Sequence, residues 1–443
     1  MKSLVVVGSF IMACALAAPV GASVPVAPPA RSQVDGAALL TQSDPTTELI
    51  GTELFIPAGL DAQSPSQNGL AALVAECILQ TPVAARSGER LPLVSTVNSE
   101  GGSLSYGVDG QIVRFYLEGL SSEYSGGLLP ALRAAVSNPD FSDATLRAAR
   151  GKVRERLELS GANPLAVGME MLGRTFYANS DAGLPQYGTA AALMQFSSDD
   201  ARAFYAAHYR REGSVVSAIG DLQALAPNDL ISLVRTLGAG SSRAAVVRTT
   251  TLTGNSHQLV AHRDISVPWL VAQYRAPGLR SPDFGAMLVL AAFFSRTLTD
   301  VAEVPAVSTA QDSQRSAGAI YNFGTRPASL VFYIGGGLGD PARSFATTLA
   351  VAKVLQRARL QGSIDDLKAG AIGFFDGRAN TLEERARLAA VFTLFGGGPD
   401  YLGRAAEAIS MTTPSSLQRA ANRYLVSPTV ALILPRAAPV PAP

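Results

Sequence analysis

Two stretches of this chain, 215 residues apart, read alike, and a fold must accommodate both. Ser197-Ser198-Asp199-Asp200 leads into Ala201-Arg202-Ala203-Phe204-Tyr205-Ala206-Ala207-His208-Tyr209, and an apolar run with Val215, Val216 and Ile219 follows. Thr412-Thr413-Pro414-Ser415-Ser416 leads into Leu417-Gln418-Arg419-Ala420-Ala421-Asn422-Arg423-Tyr424, and a run with Val430, Leu432, Ile433 and Leu434 follows. Each reads as a polar cap, a helix with a tyrosine at its end, then a strand. The offset is 424 − 209 = 215. The beginnings correspond too. Pro57-Ala58-Gly59-Leu60 precedes a helix opening at Gly69, and Ala276-Pro277-Gly278-Leu279 precedes one opening near Gly285, an offset of 285 − 69 = 216. A chain organised this way predicts two similar α+β halves, each with helices packed on a mainly antiparallel sheet.

Composition suits such cores. Apolar residues make up 47% of the 443 and charged residues 16%, which argues against disorder. With 36 basic and 35 acidic side chains the net charge is +1, and no clustered excess of Lys and Arg suggests nucleic-acid binding. Residues 1–22 read as a signal peptide: Lys2 is followed by the apolar run Leu4 to Met12, then by small residues at Ala15-Leu16-Ala17 and Val20-Gly21-Ala22. The run is too short for a comfortable membrane span. Export to the periplasm or the extracellular space is therefore expected. Cys14, after Ile11-Met12-Ala13, faintly resembles a lipoprotein cleavage site in which Met12 fits poorly; a lipid anchor there, tethering the protein to a membrane, is the alternative. Without Cys14 the lone cysteine is Cys77, which cannot form an internal disulfide and reads as a small buried hydrophobe. Residues 23–46, rich in Pro, Ala, Ser and Val, read as a flexible leader; 47–237 and 251–436 are the two halves, 238–250 the linker and 437–443 a tail.

At several points the residues resemble the insulinase/pitrilysin peptidase family. These are Phe55-Ile56-Pro57-Ala58-Gly59-Leu60, Gln67-Asn68-Gly69-Leu70-Ala71, Thr81-Pro82, Gly101-Gly102 with Asp109 and Phe115, and Asn138-Pro139-Asp140-Phe141. The resemblance continues through Tyr209 and Gly220-Asp221 to Tyr424, almost the whole mature chain. It implies a clam-shell of two halves. It also implies a helix carrying H-x-x-E-H, whose two histidines bind zinc while the glutamate takes a proton from the metal-bound water, with a distal Glu as third ligand.

In this chain those positions are Ala72, Ala75 and Glu76, and the distal ligand falls on Arg156, with Glu155 one residue away. Methyl groups neither bind zinc nor accept a proton, so a degenerate, non-catalytic motif without metal or other cofactor is expected. The three histidines, His208, His257 and His262, form no zinc motif. His208 reads as a helix-end residue favoured by the helix dipole, and the odd spacing puts His257 and His262 on opposite strand faces. No G-x-S-x-G elbow or P-loop is present, and Gly335-Gly336-Gly337-Leu338-Gly339 reads as a turn. The family's peptide-holding Arg and Tyr resemble Arg315, one residue closer than the family spacing, and Gly318-Ala319-Ile320-Tyr321. The resemblance thus implies a non-catalytic subunit that binds peptide through Arg315 and Tyr321 and pairs with a zinc-bearing peptidase of the same family. The alternative is a stand-alone exported binding or scaffolding protein with the same fold.

Overall fold

The computed structural model describes residues 27–177, 181–226, 228–242, 258–301, 316–325, 327–335 and 364–436. The first half runs through strands β1 (Ala30–Val34), β2 (Ala37–Ser43) and β3 (Leu49–Ile56), helix α1 (Leu70–Gln80), the ribbon β4 (Pro82–Ala84) and β5 (Arg90–Pro92), and helix α2 (Leu93–Ser99). Strands β6 (Ser103–Val108) and β7 (Val113–Leu120) follow, then α3 (Ser121–Glu123), a π-helical turn, α4 (Leu129–Ser137), α5 (Asp143–Ala162), α6 (Pro164–Phe176), α7 (Ala190–Gln195) and α8 (Ser198–His208). It closes with β8 (Arg210–Glu212), β9 (Val215–Gly220), α9 (Asp229–Thr236) and β10 (Gly238–Ser241). The second half contains β11 (Gln258–Arg263), β12 (Trp269–Arg275), α10 (Phe284–Val301), β13 (Ser316–Asn322), β14 (Ser329–Gly335), α11 (Ile364–Gly377), α12 (Leu382–Phe395), α13 (Tyr401–Ser410), α14 (Pro414–Tyr424) and β15 (Thr429–Pro435).

The two main sheets share one topology. The first is ordered β1-β2-β9-β3-β7-β6 and the second β11-β15-β12-β14-β13. Apart from β1, the strands match one for one in order and direction: β2–β9 and β11–β15 are parallel, and the other neighbours are antiparallel. The helix before each closing strand starts with a capping box, Ser197 with Asp200 for α8 and Thr413 with Ser416 for α14. The glycines near the starts of α1 and α10 act differently. Gly69 is the left-handed residue (φ +103°) before α1, whereas Gly285 lies inside α10, where a Cβ would fall 1.9 Å from the Ala408 carbonyl oxygen of α13.

Each sheet is covered on one face by helices of its own half and on the other by a helix of the opposite half. In β3, Ile50, Leu54 and Ile56 belong to the core of the first half, while Phe55 belongs to the core of the second half, reached where α12 packs on β3. In β12, Leu270, Ala272 and Tyr274 belong to the core of the second half that α10 shares, while Trp269 and Val271 join Val167 and Leu172 of α6 on the other face. The period of two along a strand sends alternate side chains to these two cores. β3 and β9 are consequently buried almost end to end. Every fully buried Leu or Phe at these contacts contributes about 2 kcal/mol. Gly168 lets α6 approach closely, since a Cβ there would meet Val271 Cγ2 at 2.5 Å. Polar bridges tie the halves as well: Arg385 of α12 reaches Asp44 at 2.5 Å and donates to Gln42 Oε1 at 3.0 Å, and the Tyr177 hydroxyl donates to the Pro327 carbonyl at 3.2 Å.

Two expectations are corrected. Much of the supposed flexible leader 23–46 is sheet: β1 and β2 form a hairpin whose turn, Asp35 (φ +48°) and Gly36 (φ +89°), has the two left-handed residues of a tight type I′ connection. Ala37 to Leu40 are buried there, which secures the segment to β9. The linker 238–250 begins as β10, paired in parallel with β8. Residues 1–26, including Cys14 and the signal segment, lie outside the described residues, as does the tail 437–443.

Under α12 lies a buried charge group. Arg114 of β7 donates to Glu53 Oε1 of β3 at 2.8 Å and to Glu383 Oε1 of α12 at 3.0 Å. Burial pushes the fully buried Glu53 carboxyl up to about 8, against the opposing pull of Arg114, while Glu383 adds to the rise and Arg387 opposes it. A neutral Glu53 still accepts from Arg114, and Glu383 supplies the balancing charge. An acid with a raised folded value binds its proton more tightly when folded. Its contribution to stability is complete below about 4.5 and is lost as pH rises toward 8. Glu53→Gln should therefore gain on the parent chain by about 2–4 kcal/mol between pH 5 and pH 8 in urea unfolding; an equal difference at the two pH values would contradict this assignment.

Candidate functional site

The helix α1 is fixed before its side chains are considered. Gln63 Oε1 accepts from the amides of Gly69 (3.2 Å) and Ala71 (3.1 Å), satisfying two orphan donors of the first turn. At the other end, Thr81 Oγ1 donates to the Cys77 carbonyl at 2.8 Å and accepts from the Asp140 amide at 2.9 Å. This joins the Thr81-Pro82 and Asn138-Pro139-Asp140-Phe141 motifs. Gly59 is equally tied: a Cβ there would sit 2.3 Å from the Ile112 nitrogen, and the Leu60 amide donates to the Asp109 carbonyl at 2.9 Å. The retained motif residues thus form one rigid frame around α1.

Within that frame, Ala72 and Ala75 are fully buried in the core of the first half. Glu76 is 2% exposed, and Gln80, one turn later, donates to its Oε1 at 2.9 Å. Helix α5 packs across α1 and brings Arg156 Nε to 3.5 Å from Glu76 Oε2. Glu155 points away and pairs with Lys152 at 3.0 Å in solvent, so Arg156 is the residue that meets α1. The Arg156 guanidinium also lies 4.4 Å from the centroid of the Tyr106 ring, on β6. Burial lowers its affinity for a proton, but the Tyr106, Glu76 and Tyr187 groups around it outweigh that and raise it. Burial and the Glu76 charge push the Tyr106 hydroxyl well above its ordinary value, with Arg156 opposing. Tyr106, Gln80 and Tyr187 were not singled out by sequence; the available signal was an arginine opposite a glutamate, a pair of opposite charges in place of two ligands.

Zinc does not fit these residues. Two positions carry methyl groups, and the one carboxylate, Glu76, already faces a guanidinium that would repel a metal cation. Among the described residues no group of three His, Cys, Asp or Glu is placed to hold a metal. Cys77, next to Glu76, is buried, and desolvation pushes its thiol up to about 12, so it is protonated and unreactive at neutral pH.

The proposed peptide-holding residues fare differently. Arg315 lies outside the described residues, as does His257. Tyr321 is 4% exposed, stacked among Phe284 and Phe323, and its hydroxyl donates to the Pro277 carbonyl at 2.5 Å. That hydroxyl closes a core and is not presented to a peptide. His208 ends α8 with Nδ1 2.9 Å from Ser242 Oγ, and His262 Nδ1 lies 3.3 Å from the Pro435 carbonyl. The glycines after Gly335 in the run 335–339 lie outside the described residues.

No family model matches the chain, and no curated protein matches it. Solved structures do match its fold. A protease from Helicobacter pylori superposes with a TM-score of 0.75 at 14% identity, covering 93% of this chain and 100% of that one. A peptidase M16 inactive domain from Pseudomonas fluorescens gives a TM-score of 0.75 at 14% identity, with the same coverage of 93% and 100%. A chain of Complex III2 from Candida albicans, Inz-5 bound, gives 0.71 at 13% identity, over 92% and 95%. At these identities the likeness is one of fold: this chain has the M16 peptidase-like, or insulinase/pitrilysin, fold.

Removing Arg156 leaves the Glu76 carboxylate buried without its ion-pair partner. Arg156→Met should lower stability by about 2 kcal/mol, a figure reduced for the partial exposure of the arginine. Adding Glu76→Gln should recover most of that loss. Additive losses in this double-mutant cycle would show that the two side chains are not coupled.

Proposed function

We propose that this chain is a non-catalytic M16-fold subunit with a degenerate zinc motif. It pairs with a zinc-bearing peptidase of the same fold and supplies a wall and peptide contacts to the chamber between them. The observation that carries the proposal is the Glu76–Arg156 pair at the centre of a retained frame. The frame persists in the Gly59, Gly69, Thr81 and Asp140 contacts, while the positions for metal and base hold methyl groups. Such a separation of frame from chemistry suits a subunit whose work is positioning. Holding a peptide beside another chain's reactive centre lowers the entropic part of the barrier. Arg315 remains the proposed peptide contact by resemblance; the Tyr321 hydroxyl does not. The signal segment 1–22 supports a periplasmic or extracellular location, with a lipid tether at Cys14 as the alternative.

The likeness to a chain of Complex III2 favours a second role, a scaffolding or binding protein with no part in proteolysis. The two are separated by mixing this chain with the zinc-competent M16-fold protein encoded nearest to it and assaying peptide cleavage. The two-chain role predicts that the mixture cleaves at least several-fold faster than either chain alone and that the chains co-elute on gel filtration. A neighbour that cleaves equally well alone, and does not associate, would overturn the two-chain role and leave the scaffold.

A further inference from the structure

The second half carries a cavity of about 620 Å³ where α10 begins, α13 crosses it and α14 starts. Leu279, Phe284 and Phe392 line its apolar part, and Arg280, Arg404 and Arg419 bring three guanidinium groups to it. The crossing is tight because Gly285 presents no side chain to the Ala408 carbonyl. Arg280 is seated against Gly396, the left-handed residue (φ +90°) that ends α12; a Cβ there would lie 2.2 Å from its Nε. The helix end favours a cation at that spot and holds the guanidinium in one place.

The charge around the cavity is unbalanced. Its one acid, Glu407, pairs with Arg404 at 3.2 Å. Arg280 and Arg419 have no ion-pair partner among the described residues, so three cations and one anion leave a surplus of two positive charges. The cleft between the starts of α5 and α8 differs: there Arg147, Arg150 and Arg202 share the space with Asp143 and Asp199, and Arg202 is already paired with Asp199 at 2.9 Å.

We propose that this cavity binds the free C-terminal carboxylate of a peptide whose last residue is apolar. Arginine presents forked N–H donors that match the two oxygens of a carboxylate, and the apolar lining receives the terminal side chain. The volume lies within the range of small-ligand sites. The site belongs to the second half alone, is separate from the Glu76–Arg156 region, and does not depend on a partner chain.

Fluorescence anisotropy of the full chain with a labelled hexapeptide ending in leucine, as the free acid and as its C-terminal amide, tests the assignment. The acid should bind about tenfold more tightly than the amide or better. Arg419→Gln, at an exposed position of α14, should weaken binding of the acid by a similar factor and leave the amide unchanged, with the melting curve intact. Arg280→Gln should do the same to the acid, provided its melting curve also holds. Equal affinity for acid and amide, or unchanged binding by a folded Arg419→Gln chain, would overturn the proposal. Displacement of the peptide by millimolar inorganic phosphate with no preference for the acid would identify a general anion patch and overturn it too.

Discussion

The exchange of one helix between the halves is the constraint on which the rest depends. α6 leaves the first half to cover the outer face of the second sheet, and α12 does the reverse. Neither main sheet could stay dry without the other half, because the faces bearing Phe55 and Val215, or Trp269 and Val271, would meet water. The exchange also reaches the candidate site. α5 runs into α6 through Asn163, which caps α6 by accepting from the Leu165 and Ala166 amides, with Pro164 at its first position. Anchoring α6 on the second sheet therefore holds the end of α5, and with it Arg156, across α1.

The charge at that crossing is solved with a guanidinium. A buried carboxylate needs a compensating cation or a proton. Glu76 obtains the former from Arg156, supported by the Gln80 amide and by the Tyr106 ring beneath the guanidinium. An arginine on this spot is a fixed monocation facing the Glu76 carboxylate, so it balances the buried charge at the helix crossing and supplies no metal ligand. The Glu53–Arg114–Glu383 group beneath α12 follows a different balance: desolvation exceeds the attraction of Arg114, and the carboxyl keeps its proton. Two buried glutamates on neighbouring elements thus reach neutrality by different means.

Much of this was legible in the sequence because it is local. The capping residues of α8 and α14, the start of α1 at Gly69 and the strand runs declare themselves within a few residues, and the two halves with mainly antiparallel sheets followed from them. The β1–β2 hairpin also had its signal, Asp35-Gly36, but the surrounding Pro, Ala and Ser suggested a leader. Which sheet a helix covers is not a local property. Val167 and Leu172 would form the same apolar stripe on either sheet, so the exchange of α6 and α12 leaves no trace in periodicity. At the site, a choice between Glu155 and Arg156 is a rotation of about 100° on a helix, which only packing against α1 decides. Tyr321 reads as a peptide contact from its local run alone; its burial depends on the rings of Phe323 and of Phe284, the latter distant in sequence.

The proposal that the Glu76–Arg156 pair occupies a degenerate zinc motif is open to one direct measurement. The purified full chain is incubated with excess zinc at neutral pH, passed through gel filtration, and its metal content determined by mass spectrometry. The Glu76–Arg156 pair predicts no stoichiometric zinc, and no change in that result for Glu76→Ala. One tightly held zinc per chain, lost in Glu76→Ala, would contradict it.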